Sequence, residues 1–144
     1  DVAYKQNQFY INSKSITFEN NIPLDLNFSF DDDLIERVFA NIISNAIKYK
    51  NENGLIRLNA EPFTKDNNEY CKISIYNTGE AIPADKINTI FESYSQVYDQ
   101  KGEYKYSTGI GLTFCKMAIE AHNGEIGVVS AVDKGVIFWF TLPL

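Results

Sequence analysis

Asn41-Ile42-Ile43-Ser44-Asn45-Ala46-Ile47-Lys48-Tyr49 places two carboxamides four positions apart near the end of a helical pattern. Side chains four apart share a helix face, so Asn41 and Asn45 point the same way, with Lys48 three residues further on. That face offers neutral oxygen ligands and one ammonium. Mg2+ takes one or two protein oxygens, keeps waters and shares itself with substrate phosphates, and such a face suits it. The plain alternative is two solvated Asn residues on a surface helix, although Asn in mid-helix is mildly costly.

Upstream of this box the apolar positions are Leu34, Ile35, Val38, Phe39, Ile42, Ile43, Ala46 and Ile47. They form one stripe, as in a helix packed on a sheet. Asn41, Asn45 and Lys48 lie on its border. The run Asp31-Asp32-Asp33 suits the positive helix start, and Asp33 with Glu36 is expected to form a capping box. Asn53-Gly54 stops the helix or the turn after it. Before the helix, Ser15 to Glu19 alternates. Leu24 to Phe30 alternates more clearly, with Leu24, Leu26, Phe28 and Phe30 on one face of a half-buried strand.

Downstream, Leu55 to Ala60 and Tyr70 to Asn77 are expected to pair as strands, joined by a polar hairpin loop of moderate length, Thr64 to Glu69. A short helix is expected over Ala84 to Phe91, with Pro83 at its first turn. Glu92 to Thr108 carries four tyrosines without a period; a loop of that length in a small domain is expected to be a lid, or else surface residues packed on the core. A third helix runs from about Ile110 to His122 and stops at Asn123-Gly124. Glu125 to Val132 and Gly135 to Leu142 are the last strands. Helices are too few for a doubly wound sheet. The expected fold is α+β: a two-layer sandwich of one mixed, mostly antiparallel sheet with three helices on a single face.

The 144 residues suit one domain, 1–144, with a real core, and they include ten Phe and nine Tyr. A net charge of −6 makes nucleic acid and anionic membrane poor partners, and it repels any polyphosphate at long range. A nucleotide would have to be held by local elements: Mg2+, Lys48, backbone N–H groups and helix N-termini. Cys71 and Cys115 have no metal-ligand spacing and read as small buried hydrophobes in a reducing compartment. There is no signal peptide and no run of 18 apolar residues, and the chain starts without Met; a cytoplasmic fragment of something longer is expected, without direct membrane contact.

Two further motifs bear chemistry. After the strand ending at Tyr76 comes Asn77-Thr78-Gly79-Glu80-Ala81-Ile82-Pro83, where a polar side chain and a Gly let backbone approach a planar ligand. Ser107-Thr108-Gly109-Ile110-Gly111-Leu112 opens the third helix, where N–H groups can approach phosphate. Each is weak alone; a lone G-x-G is far more often a plain helix start or turn. The ordered set is far more specific: N-A-I-K-Y, N-T-G-x-x-I-P, I-F-E-S-Y, T-G-I-G-L, H-N-G-E-I and a terminal G-V-I-F-W-F-T-L-P. It resembles the catalytic and ATP-binding domain of sensor histidine kinases, in the GHKL (Bergerat-fold) group of ATPases and kinases, over roughly Ile16 to Pro143.

The resemblance implies ATP and Mg2+ as ligands and assigns roles. Asn45 matches the Mg2+-ligating Asn and Asn41 the preceding Asn of that box. Lys48 matches a phosphate-contacting Lys, Tyr49 an aromatic packed on the base. Asn77 stands where an Asp accepts from the adenine amine, with Gly79 beneath the base; Ile82 is a further cofactor-binding match. Phe91 and Tyr94 match the aromatics that anchor an ATP lid over residues 92–108. Thr108, Gly109, Gly111 and Leu112 match the second glycine box. His122 matches a structural helix-ending His, not a phosphorylated one. The departures are Asn77 for Asp, Ala81 and Ser107 for glycines, and Gln96 where the lid often carries a base.

The implied reaction moves the γ-phosphoryl of Mg-ATP to a His on a separate dimerisation domain. Neutral imidazole is already nucleophilic, so no strong general base is required. ATP-hydrolysing GHKL members and anti-sigma-factor serine kinases carry a Glu one turn before the Mg2+ Asn; here that slot holds Asn41, which takes no proton at neutral pH. A GHKL serine kinase or ATPase is one alternative, and a nucleotide-binding regulatory module without kinase activity is another. No dimerisation helices or phosphoacceptor His precede Asp1, so the fragment is expected to bind nucleotide as a monomer and not phosphorylate itself. The dimerisation domain and a response regulator are the implied partners, and any inner-membrane anchor lies outside these residues.

Overall fold

The computed structural model describes residues 17–22, 31–49, 54–79, 81–87, 89–92, 97–98, 104–106, 110–131 and 134–144. The strand expected over Leu24 to Phe30 lies outside them. The elements are β1 (Thr17–Asn20), α1 (Asp32–Tyr49), β2 (Leu55–Lys65), β3 (Asn68–Asn77), α2 (Ala84–Ile87), β4 (Val97–Tyr98), β5 (Tyr104–Tyr106), α3 (Ile110–Ala121), β6 (Ile126–Ala131) and β7 (Gly135–Pro143).

Five strands form one mixed sheet in the order β1-β2-β3-β7-β6. Only β1 with β2 is parallel; the other pairs are antiparallel. A parallel pair needs a crossover, and α1 lies in it. Register sets the core. Leu58, Ile75, Phe138 and Val128 face one another in a row across four strands, and Ala60, Ile73, Phe140 and Ile126 form the next. Side chains alternate in a strand, so both rows lie on one face, which the helices cover. Phe39 of α1 packs edge-on to Phe140 at 5.3 Å between ring centroids.

The opposite face is polar and aromatic. Arg57 pairs with Glu19 at 2.8 Å, and the Lys72 ammonium lies 4.7 Å from the Trp139 ring centroid. Trp139 lies across Gly127, where an added Cβ would come within 2.5 Å of the indole.

The two long helices run antiparallel. The Asp31 N–H donates to His122 Nε2 at 2.9 Å, the Cys115 thiol lies 3.8 Å from the Val38 carbonyl, and Asn41 Nδ2 donates to the Gly111 carbonyl at 3.5 Å. Rising numbers on α1 meet falling numbers on α3. The turn of α1 bearing Asn41 and Asn45 therefore sits at the N-terminal end of α3.

Four local expectations are corrected. The α1 cap is Asp31, not an Asp33–Glu36 box: Asp31 Oδ1 accepts from the Leu34 N–H at 3.1 Å, and its carbonyl accepts from Ile35. The first acidic residue of the run already meets the free amide three positions on, so the helix starts earlier. The β2–β3 link is a two-residue turn at Asp66-Asn67, with φ of 52° and 64°. Both residues tolerate the left-handed region, so the strands zip to the tip. α2 is one turn, followed by three-residue hydrogen bonds from Thr89 to Lys86 and Glu92 to Thr89. Within the stretch read as an aperiodic lid, β4 and β5 pair as a small antiparallel hairpin.

Candidate active site

One end of the sheet closes on the row Ile56, Asn77, Val136 and Ser130, in register on the helix-covered face. Apolar residues hold most core-facing positions, and here an Asn takes one. Asn77 is only 2 % exposed. Its Nδ2 donates to the Thr78 carbonyl at 3.1 Å. Its Oδ1 is the one buried side-chain nitrogen or oxygen among the described residues that has no hydrogen-bond partner. Leaving a buried acceptor unpaired costs about 1–3 kcal/mol, which singles Asn77 out among the described residues.

Three contacts fix Asn77. The Thr78 N–H donates to the Leu55 carbonyl at 3.1 Å, and the Leu55 N–H donates to Thr78 Oγ1 at 2.9 Å. This reciprocal clamp extends the β2–β3 ladder one residue past the strand. On the other side Gly135, at φ +80°, presses on the Asn77 backbone; an added Cβ there would sit 2.5 Å from the Asn77 carbonyl oxygen. Beyond Thr78, Gly79 takes φ of 152°, a conformation that favours glycine. The loop then returns to the sheet, where the Ile82 N–H donates to Ser130 Oγ at 2.8 Å and the Ile82 side chain is buried.

The second half of the site lies where α1 meets the start of α3. Asn41 and Asn45 are both half-buried on one side of α1. Asn41 is committed to the Gly111 carbonyl, and an added Cβ on Gly111 would touch Asn41 Cγ at 3.6 Å. Among the described residues the Asn45 carboxamide has no partner. Leu112 is buried beside Gly111. One turn further, burial pushes the Cys115 thiol up to about 12, against an opposing pull from the Asn41 carboxamide. It is an inert packing group there. Phe91 bridges the sheet and α3: its ring meets Phe138 edge-on at 6.3 Å, and its carbonyl accepts from Thr113 Oγ1 at 2.9 Å.

The structure thus brings Asn41 to Gly111 and Leu112, and Asn77 to Gly79 and Ile82, around one core. Lys48 and Tyr49 belong to the last turn of α1, and their side chains lie outside the described residues, as do Thr108, Gly109 and Tyr94. Ser130, Gly135 and Thr113 were not singled out from sequence. Gly135 carried a signal, a Gly beside Lys134 at a strand start, but it read as a plain connection. Ser130 and Thr113 carried none, because their partners are backbone groups 48 and 22 positions away.

Comparison with known proteins places this architecture. The model of the histidine kinase-, DNA gyrase B- and HSP90-like ATPase family matches residues 30–144. The chain belongs to that family. Among curated relatives it is similar to the adaptive-response sensory kinase SasA of Gloeothece citriformis (strain PCC 7424), 38% identical over 132 residues, covering 91% of this chain and 32% of that protein. It is also similar to SasA of Synechocystis sp. (strain ATCC 27184 / PCC 6803 / Kazusa), 38% identical over 138 residues, covering 95% and 35%. The chain spans about a third of the length of these relatives. Among solved structures it resembles the nucleotide-free catalytic domain of histidine kinase ThkA, with TM-score 0.80 and 28% identity over 98% of this chain and 87% of that one. ThkA in complex with the response regulator protein TrrA aligns with TM-score 0.74 and 27% identity, covering 98% and 38%. No described helix is long and apolar enough to cross a membrane.

Proposed function

We propose that this chain is the ATP-binding catalytic domain of a sensor histidine kinase, passing the γ-phosphoryl of Mg-ATP to a His on a separate dimerisation domain. The observation that carries the reading is the carboxamide pair on α1. Asn41 stands where a base would have to stand to deprotonate water or a hydroxyl, and its Nδ2 donates to the Gly111 carbonyl. A carboxamide accepts no proton at neutral pH. An imidazole acceptor needs no deprotonation, and transfer then depends on positioning and charge neutralisation.

Each half of the site has its task. Asn77 presents an unpaired acceptor at a buried sheet end, the complement of an exocyclic amine on a planar base. Asn45 supplies a neutral oxygen to Mg2+. The described residues contain no cluster of three His, Cys, Asp or Glu side chains, which suits an ion shared with phosphates rather than caged by protein. Bound Mg2+ neutralises charge on the phosphates. On the family resemblance Lys48 would meet them, Tyr49 would pack on the base, Phe91 would anchor a lid over residues 92–108, and Thr108 and Gly109 would lie beside the phosphates. The complex of ThkA with TrrA supports a response regulator as the downstream partner.

A second reading, a nucleotide-binding regulatory module without transfer, draws on the neutral Asn77. Calorimetric titration with Mg-ATP, followed by incubation with a matching dimerisation domain, separates the two. Saturable binding with transfer is the expected result; binding without transfer to any of several such domains favours the module. Absence of binding removes both.

A further inference from the structure

The row that closes the sheet end, Ile56, Asn77, Val136 and Ser130, holds two polar side chains on the helix-covered face. The next row, Leu58, Ile75, Phe138 and Val128, holds none, and neither does the one after it, Ala60, Ile73, Phe140 and Ile126. Apolar groups are the cheaper choice at core-facing positions, so each exception needs a reason. Asn77 opens the loop that returns to the sheet at Ile82. Ser130 meets the loop at its return: its Oγ accepts from the Ile82 N–H at 2.8 Å, across 48 positions of sequence.

Among the described residues the backbone N–H groups of this loop are tied at two points. The Thr78 N–H donates to the Leu55 carbonyl at 3.1 Å, and the Ile82 N–H donates to Ser130. Gly79 lies between them, at φ of 152°. Glycine is permissive, so the span is held by its ends and not by its own stiffness. The Ile82 side chain is buried, at 3 % exposure, but apolar burial has no direction. The hydrogen bond to Ser130 has one, and it sets the angle at which the backbone comes back from Gly79.

We propose that Ser130 is a positioning residue for the nucleotide, holding the stretch from Asn77 to Ile82 in the form that receives the base. This rests on the nucleotide reading of the site, which puts Asn77 and Gly79 at the base. Ser130 acts through Ile82 and makes no contact with the nucleotide itself. Without its hydroxyl the Ile82 end is released, Gly79 samples more of its conformations, and binding has to order the loop again. The loss falls on affinity. The stretch meets the base and not the γ-phosphoryl, so ground state and transition state are weakened alike.

The test is calorimetric titration of Mg-ATP into the wild type, Ser130→Ala, Ser130→Thr and Asp31→Ala, with phosphoryl transfer to a dimerisation domain followed in parallel. Ser130→Ala is expected to weaken ATP binding about tenfold and to raise KM by the same factor, with kcat unchanged. Ser130→Thr keeps the hydroxyl and is expected to bind as the wild type does. Asp31→Ala removes the cap at the opposite end of α1 from Asn45, weakens the fold, and is expected to leave ATP affinity unchanged. Hydrogen exchange at the Ile82 amide, without nucleotide, is expected to be slow in the wild type and faster in Ser130→Ala. The inference is overturned, and the nucleotide reading stands, if Ser130→Ala binds ATP as tightly as the wild type or if Ser130→Thr binds no better than Ser130→Ala. It is equally overturned if the loss falls on kcat, or if Asp31→Ala loses as much affinity, since Ser130 then serves the fold alone. Fast exchange at Ile82 in the wild type overturns it without recourse to any variant. If the wild type binds no ATP while its Ile82 amide is protected, the nucleotide reading fails and takes the inference with it.

Discussion

Two asparagines on one helix side do different work. Asn41 bonds across to Gly111 and braces the start of α3. Asn45, one turn on, is the residue proposed to hold the ion. Asn45→Ala is therefore expected to abolish Mg2+-dependent nucleotide binding, with melting shifted by less than about 0.5 kcal/mol, as for a surface substitution. Calorimetry with and without EDTA, beside a thermal melt, checks both halves. His122 works within the fold: Nδ1–H donates to the Ala118 carbonyl at 2.7 Å and Nε2 accepts from the Asp31 N–H, so one ring joins the end of α3 to the start of α1. Cys115 gives a pH signature. Its folded pKa is raised by burial from 9.0 to about 12, so the folded state holds a proton that the unfolded state has lost. Its contribution is fully present below pH 9 and lost as pH rises toward 12, at up to about 1.4 kcal/mol per unit. Urea midpoints from pH 8 to 10.5 should fall more steeply for wild type than for Cys115→Ala.

The elements show what local sequence can and cannot carry. The cap of α1 rests on a single side chain, and Asp31→Ala is expected to cost about 1 kcal/mol in chemical denaturation, with Asp33→Ala near neutral. A true Asp33–Glu36 box would reverse that order. The long helices and the paired strands were legible because periodicity and glycine placement are local signals. The α1 stripe predicted from sequence matches the buried side chains Ile35, Val38, Ile42, Ile43 and Ala46. Three features were not legible. Asp31, Asp32 and Asp33 are equivalent in composition, and only chain geometry selects the cap. Asp66-Asn67 looked like part of a polar link because neither residue is Gly, although both adopt positive φ. The anchoring of the Asn77 loop by Ser130 and Gly135 depends on β6 and β7 lying beside β3, a topological fact invisible in the local sequence.

For the molecule as a whole, nucleotide binding should couple to stability and to the lid. At a ligand concentration one hundred times Kd, Mg-ATP is expected to stabilise the domain by about 2.7 kcal/mol. Hydrogen exchange across residues 92–108 is expected to slow in the same solution, and unchanged exchange there would remove the lid from the account. The acidic balance of −6 means that this binding owes little to long-range attraction, so it should survive moderate salt. The most direct measurement uses γ-labelled ATP, Mg2+, this domain and a dimerisation domain with its phosphoacceptor His. The account expects label on the partner that is lost in acid and kept in base, the behaviour of a phosphoramidate. Label that survives acid, as on a hydroxyl ester, or rapid release of free phosphate without transfer, would contradict the claim that a base-free carboxamide site serves a nitrogen nucleophile.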